Sequence, residues 1–440
     1  MRAIFLFCVP LLSLFCTTGV PAGQTQKPEN LAEEIENVLV AGLKLWYPAS
    51  VDPRGGFHST FSNDWKLAPS TSKGIVHQAR MTWTAAEVAR RRPEWKAQLE
   101  PIAKHGIAFL RDKMWDAECG GFYWVIADDG TPPVAPSEMK HAYGISFGIY
   151  AAATVYELTK NADDLQLAKD AFFWLDRFGH DARNGGYREA FYRDGRPMLE
   201  PPHDRPNVKT GMVGEELGGK SMNTHIHLLE SFTVLYKVWP DPVLRSRLEE
   251  LLLIIRDKVT TRPAAMWQFF SADWTPAATL VSFGHDVETA FLMEETIEVL
   301  GRHDDVETLN VCKALVDHSL RFGWDNRNGG FYHEGATYSA PVNRRKDWWV
   351  QAEGLNTLLV MYRNYGETEM QYGQRFIAQW GFIQRSVIDA EHGGWFSAVS
   401  ESGELPAGPK PPKAQLWKTA YHETRALLNV ADGLKEMNAP

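Results

Sequence analysis

The 440-residue chain predicts an all-α fold, an (α/α)6 barrel of six helical hairpins joined by short Gly-Gly turns, and three observations carry that prediction. A Gly-Gly-aromatic signal recurs at Gly55-Gly56-Phe57, Gly120-Gly121-Phe122, Gly185-Gly186-Tyr187, Gly329-Gly330-Phe331 and Gly393-Gly394-Trp395. Successive copies lie about 65 residues apart, apart from one double interval of 144 between Gly185 and Gly329. Helical periodicity, with apolar residues three and four apart, flanks the copies on both sides. Repeats of this kind mark stacked supersecondary units rather than one irregular core.

Each unit reads as an outer amphipathic helix, a tight reversal and a more apolar inner helix. The outer stretch is clearest at Leu31 to Trp46, Leu165 to Phe178 and Val306 to Phe322. Paired glycines then supply the backbone freedom that a sharp reversal needs. The inner helices are predicted to begin near Arg80, Lys140, Lys220, His285, Trp348 and Tyr421. Inside the double interval, Met266-Trp267-Gln268-Phe269-Phe270 stands where a degenerate copy belongs, which completes six units. Twelve helices in six hairpins suit a closed ring with an outer and an inner layer; an open solenoid of the same units is the alternative. The third unit is extended, with 34 residues from Gly186 to Lys220 against 24 from Gly56 to Arg80 and 18 from Gly330 to Trp348. That insertion, which carries Pro201, Pro202 and Pro206, is read as a lid over one end of the ring.

A hydrophobic content of 44% with 23% charged residues is that of a folded soluble chain, and 16 Trp make it rich in aromatics. The net charge of −9 argues against nucleic acid as a partner, because binding a phosphate backbone relies on clustered Lys and Arg. Arg2, the apolar run over residues 3–16 and the small residues around Val20-Pro21-Ala22 read as a cleavable export signal over residues 1–22. The expected location is therefore secreted or periplasmic, with residues 23–440 forming a single barrel domain. So short a segment does not span a membrane, and no membrane association beyond export is expected. Cys8 and Cys16 leave with the signal. Cys119 and Cys312, far apart and in dissimilar contexts, indicate neither a disulfide framework nor a cysteine-based zinc site.

In a closed ring, equivalent inner helices start at the same end. Those starts are polar: Arg80 with Trp83, Lys140 with Tyr143, Asn223 with His227, His285 with Glu288, Trp348 with Gln351, and Trp417 with His422. Six segments thus aim polar and aromatic side chains into one funnel. A lone His at a helix start is ordinarily a cap or a surface residue, but His227, His285 and His422 at corresponding positions of three units favour function. Asn223 and His227 share a face by their four-residue spacing, whereas His225 points elsewhere and is read as structural. Lys140 is read as an exposed helix-start charge. His225, His227 and Glu230 do not fall together on one helix face, so no metal is expected.

At these residues the chain resembles the N-acylglucosamine 2-epimerase superfamily, and within it the cellobiose (mannobiose) 2-epimerases. Lys220 to Phe232, KSMNTHIHLLESF, is the most specific match; Ser282 to Glu288, Trp348 to Glu353 and Trp417 to His422 follow in the family's order. The likeness covers essentially the whole mature chain and implies the α/α six-barrel. It implies that Arg80, Tyr143, Asn223 and His227 contact or polarise the substrate. His285 and His422 become the acid/base pair, with Glu288 beside the former, and His227 joins the catalytic set. In the last segment the family has a Cys-Pro-Tyr-His-Asn run, whereas this chain has Thr419-Ala420-Tyr421-His422-Glu423, which sets Glu423 next to the proposed base.

The implied chemistry suits these residue types. A proton on C2 of an aldose is acidic only beside a free carbonyl, so the reducing-end ring must open before C2 can invert. Inversion through a planar enediolate calls for an acid/base group on each face, with a pKa near the working pH, and histidine meets that demand. Glu288 is expected to orient His285, three residues before it, and Arg80 to stabilise the developing oxyanion. Trp348 and Trp417 are expected to stack on sugar rings. The resemblance implies a small carbohydrate substrate, a disaccharide or aldose, with no cofactor; the expected assembly is a monomer or weak homodimer. An aldose-ketose isomerase of the mannose type shares the enediolate and returns the proton at C1. A glycoside hydrolase would need a carboxylate pair, for which Glu288, Glu353 and Glu423 are available, and leaves the histidines idle. A sugar-binding protein without catalysis is the reading from another class.

Overall fold

The computed structural model describes residues 28–133 and 139–438, and the predicted export signal over residues 1–22 lies outside them. Outer helices α1 (Pro28–Ala49), α3 (Pro93–Phe109), α5 (Ala162–Phe178), α7 (Pro242–Ile254), α9 (Val306–Phe322) and α11 (Tyr372–Phe382) alternate along the chain with inner helices. The inner helices are α2 (Ile75–Arg91), α4 (Ala142–Thr159), α6 (Met222–Val238), α8 (Phe283–Val299), α10 (Trp348–Tyr365) and α12 (Tyr421–Met437). The two layers differ in how much of each helix is buried. Outer helix α5 buries one stripe, from Leu167 and Ala168 through Ala171 and Phe172 to Leu175. Inner helix α2 is enclosed on all sides from Ile75 to Ala89, as a helix walled in by neighbours must be. None of the described helices is long and apolar enough to cross a membrane.

The ring is closed, and short strands show how. Just before each inner helix the chain runs extended and pairs with the segment that follows the Gly-Gly turn of the next unit. β1 (Ser72–Gly74) pairs with β2 (Val125–Ala127), β3 (Lys140–His141) with β4 (Ala190–Phe191), and β5 (Lys220–Ser221) with β6 (Phe269–Phe270). β7 (Leu280–Ser282) pairs with β8 (Glu334–Ala336), which also takes β9 (Pro341–Asn343), and β10 (Lys346–Asp347) pairs with β11 (Ala398–Val399). The sixth pairing, the bridge between Ala414 and Phe61, joins the last unit to the first, and α1 packs on α12. An open solenoid is thereby excluded. These strands of two or three residues are an addition to the all-α prediction, confined to one rim of the barrel.

The Gly-Gly turns are built alike. Both glycines are in the left-handed region, at φ 124° and 66° for Gly55 and Gly56 and at 78° and 87° for Gly329 and Gly330. A Cβ on Gly56 would lie 2.4 Å from Gln78 Oε1, so the position is closed to side chains twice over. In three of the five clear copies the aromatic is pinned by a polar side chain from the fourth position of the inner helix. Gln78 Oε1 accepts from Phe57 N at 2.7 Å, His225 Nε2 from Tyr187 N at 3.0 Å, and Gln351 Oε1 from Phe331 N at 2.9 Å. In the degenerate unit, Asp286 Oδ1 accepts from Met266 N at 3.1 Å, so Met266 holds the aromatic's place. His225 is structural, as expected, and Gln351 serves the turn rather than the funnel.

Lys140 is corrected from an exposed charge to a fully buried one. Its Nζ donates to Asp116 Oδ2 at 2.9 Å, and the same pairing recurs as Lys73–Asp52, Lys220–Asp181, Lys346–Asp325 and Lys413–Asp389. Each Asp sits a few residues ahead of a Gly-Gly pair, and four of the lysines also bond the carbonyl of its first glycine. One buried ion pair therefore ties every clear copy of the turn to its inner helix. Cys119 and Cys312 are free thiols.

Candidate active site

Four of the six inner helices present a charged or titratable side chain one turn in from where the rim strands hand over to helix, and a fifth presents the ring of Phe147. Counted from each helix start, the sixth position holds Arg80, Phe147, His227, Glu288 and Glu353 in α2, α4, α6, α8 and α10. The sixth residue of a helix lies one turn inside its mouth, so these side chains form one storey of the barrel axis. Arg80 is therefore in the second turn of α2, which starts at Ile75 rather than near Arg80. His227, His285 and His422 stand at the sixth, third and second positions of their helices, so they converge without being equivalent. Trp417 belongs to the loop four residues ahead of α12, not to its first turn.

One wall is formed by Arg80, Tyr143 and Trp417. Arg80 Nη2 donates to the Tyr143 hydroxyl at 3.1 Å and Nη1 to the Trp417 carbonyl at 3.2 Å, with the guanidinium over the Phe147 ring at 4.4 Å. Tyr143 packs edge-on against His227, centroids 5.2 Å apart. On another wall, Trp349 contacts both other imidazoles, 4.6 Å from His285 and 5.8 Å from His422, and Trp348 is 6.2 Å from His422. Trp349 was missed in the sequence, although it directly follows the singled-out Trp348.

The floor is a buried charge network centred on Arg425, also missed. Its guanidinium donates to Glu230 Oε1 and to Glu288 Oε1, and lies 2.8 Å from Glu353 Oε1. The Tyr421 hydroxyl donates to Glu230 as well. Oxygens of Glu288 and Glu353 and a nitrogen of His422 converge within 4.8 Å, a set with the composition of a metal site, but Arg425 supplies a positive charge to both carboxylates. Three buried carboxylates without a cation would be prohibitively costly, which explains why a residue distant in sequence is needed here.

The imidazole partners differ from the expectation. Glu288 does not orient His285: its Oε1 is held by Arg425, and His285 Nδ1 meets the Ser282 hydroxyl at 2.8 Å. Three-residue spacing brings Glu288 to the same side of α8, but the stronger cross-helix cation takes its carboxylate. His422 Nδ1 meets Glu353 Oε1 at 2.6 Å, and His227 Nδ1 meets Glu230 Oε2 at 2.8 Å. Glu230, weighed in the sequence only as a zinc ligand, is thus a histidine partner. Glu423 does not adjoin the base; it turns outward, accepting from Trp46 Nε1 at 2.7 Å and facing Lys418 Nζ at 3.9 Å.

Burial sets the electrostatics. It pushes the His285 and His422 imidazoles well below their usual range, and the Arg80 charge works in the same direction on both. Burial raises the Glu353 carboxyl against the pull of Arg425. Burial would raise Glu230 too, but Arg425 and His227 outweigh it and hold that carboxyl at about 2. Several buried polar atoms around the chamber have no partner among the described residues: Arg80 Nε, Glu288 Oε2, Glu353 Oε2 and Trp348 Nε1. Such orphans are rare in folded proteins, and donors and acceptors mixed in this way match a polyhydroxylated ligand. All nine predicted site residues border this chamber or its floor except Asn223, for which the structure records only an orphaned oxygen at the mouth of α6.

The third-unit insertion lies folded along the rim. Glu215, 1% exposed, meets His141 Nε2 at 2.8 Å, and His141 caps α4 directly ahead of Tyr143. Met198 and Met212 pack with Met139 beneath it.

Comparison with known proteins agrees with this architecture. The family model for N-acylglucosamine 2-epimerase (GlcNAc 2-epimerase) matches residues 55–426. A cellobiose 2-epimerase of Bacteroides fragilis is 28% identical over 407 residues, covering 91% of this chain and 99% of its own. A D-mannose isomerase of Marinomonas mediterranea is 21% identical over 403 residues, covering 88% and 94%. The solved structure of cellobiose 2-epimerase from Spirochaeta thermophila superposes with a TM-score of 0.83 at 30% identity, covering 94% of this chain and 98% of the other.

Proposed function

Because the chain belongs to the N-acylglucosamine 2-epimerase family, we propose that this isomerase inverts C2 of the reducing-end sugar of a β-linked disaccharide, as in conversion of cellobiose to glucosyl-mannose. The observation that carries the reading is the convergence of His285 and His422 on Trp349, each with Nδ1 engaged and Nε2 left for a substrate. The cellobiose 2-epimerase relatives support the choice of sugar.

In this reading the reducing-end ring first opens to the aldehyde. One imidazole then takes the C2 proton at Nε2, the C2 carbanion delocalises onto O1, and the Arg80 guanidinium stabilises the resulting enediolate. The other imidazole returns a proton to the opposite face of C2. Glu353 steadies the charged form of His422, and Trp348 and Trp417 set the ring planes of the sugar. No step calls for a cofactor. Export and removal of residues 1–22 complete the proposal, and the mass of the mature protein tests that part. The D-mannose isomerase relative supports a second reading, in which the same enediolate is protonated at C1.

Incubation with cellobiose, mannobiose, glucose and mannose in D2O, followed by NMR, separates the outcomes. Deuterium at C2 with a gluco to manno change is expected. A ketose selects the isomerase, released monosaccharides a hydrolase, and binding without exchange a sugar-binding protein.

A further inference from the structure

The inner helices begin at the active site, so their C-terminal ends form the other mouth of the barrel. There α2, α8, α10 and α12 surround a cavity of about 410 Å³. Four of the charges on its wall are paired. Asp432 is held by Arg91 at 2.7 Å and by Arg92 at 2.8 Å, and Glu436 by Arg363 at 2.7 Å.

Two groups are not. Asn356 of α10 is 3% exposed, lines the cavity, and its Nδ2 has no partner among the described residues. Glu294 of the adjacent α8 accepts from Asn364 Nδ2 at 2.7 Å through Oε2, while its buried Oε1 has no partner there. An orphaned donor and an orphaned acceptor therefore wall the same cavity from neighbouring helices. A buried donor or acceptor left unmet is costly, so a ligand that meets both gains accordingly.

The chemistry of that pair selects the ligand. An ammonium or metal ion would satisfy Glu294 but oppose the N–H of Asn356. A phosphate would satisfy Asn356 but meet Glu294 and Glu295. A hydroxyl alone both accepts and donates, and a molecule with several can serve both residues while its ring rests on the apolar wall of Phe291 and Leu359. We propose that this rear mouth is a second carbohydrate site, which binds a neutral monosaccharide or cyclic polyol between Asn356 and Glu294.

Such an occupant would be one side chain from the catalytic floor. The Phe291 ring carries the Arg425 guanidinium at 5.1 Å, and a smaller cavity of about 160 Å³ shares Arg91, Glu295 and Asn429 with the first and extends to Glu230 and Arg425.

The test uses 1,5-anhydroglucitol, whose ring cannot open, titrated calorimetrically into the full-length mature protein. Val360→Trp, which fills the rear cavity, is expected to remove one bound equivalent, and Asn356→Leu to weaken that equivalent at least tenfold. Turnover of cellobiose in both should stay within about twofold of the native protein. Unchanged binding in either folded variant overturns the proposal, as does a native protein that binds no anhydroglucitol, or one whose rear mouth takes spermidine instead. Should Val360→Trp not fold, as judged by circular dichroism, Asn356→Leu decides alone. Because the readout is binding of an unreactive ring, failure here leaves the epimerase reading untouched, and failure of that reading leaves this site standing.

Discussion

His422 Nδ1 lies 2.6 Å from Glu353 Oε1, a contact between α12 and α10 that leaves Nε2 as the only reactive nitrogen of the ring. Burial, with Arg80 and Arg425 beside it, holds that imidazole well below its usual range while the Glu288 charge works the other way, so the direct contact with the Glu353 carboxylate is what steadies a charged form during turnover. Glu353→Gln keeps a hydrogen-bond acceptor but removes the charge. A fall in kcat of about 10²-fold with little change in KM is expected from steady-state kinetics. An unchanged kcat would remove Glu353 from the proton transfer.

Truncating either imidazole of the proposed pair should be more severe. His285→Ala and His422→Ala are each expected to lower turnover by about 10²- to 10⁴-fold, the range for loss of a general acid or base. Far-ultraviolet circular dichroism should be unaltered, since neither side chain belongs to the helix-pinning contacts. Substantial activity in one variant would exclude that residue. Ser282→Ala should affect His285 more than Glu288→Gln does, because the serine hydroxyl is its actual partner.

The rim insertion is held at one point that can be cut. Glu215 bonds His141 at 2.8 Å and is 1% exposed, with Tyr143 two residues further on. Glu215→Ala should loosen residues 193–219, seen as new proteolytic cleavage there, and raise KM several-fold while kcat changes less. If both the cleavage pattern and KM match the native protein, the insertion does not shape the mouth.

Acid stability should report on the turn lysines. Burial would raise the Asp325 carboxyl, but Lys346 and Asn328 hold it at about 2, below the ordinary 3.8. A carboxyl lowered by folding stabilises the fold above its unfolded value, and the contribution is lost as the pH falls toward its folded value. Asp325→Asn, which leaves buried Lys346 without its counter-charge, should therefore cost about 3 kcal/mol at neutral pH. The gap in urea midpoints between variant and native protein should narrow from about pH 4 to about pH 2. A gap independent of pH would mean that the ion pair contributes nothing beyond shape.

Much of the fold was legible because its constraint is local. A Gly-Gly pair with both φ values positive is a demand that the chain states in two adjacent letters, and even the degenerate unit at Met266 could be located by interval. Lys140 was misread because an isolated lysine is usually solvated. Its counterparts Lys73, Lys220, Lys346 and Lys413 recur in the same place of four other units, a signal present in the sequence but visible only once the repeat is used to compare charges. The same comparison reveals Glu353 as the sixth-position counterpart of Glu288. Nothing local pointed to Arg425, whose role depends on three carboxylates from three other helices.

By itself the sequence determined six helical hairpins, the end of the barrel where polar side chains gather, and the family resemblance, because helical period and turn chemistry act within a few residues. Only the tertiary structure decided that the ring closes through Phe61 and Ala414, and which carboxylate serves which histidine. Neighbours along a helix are set by spacing, but in a buried charge network the partner is set by where desolvated charges find the nearest compensation. Here Arg425 claims Glu288, leaving Ser282 to His285, while Glu353 bonds both Arg425 and His422.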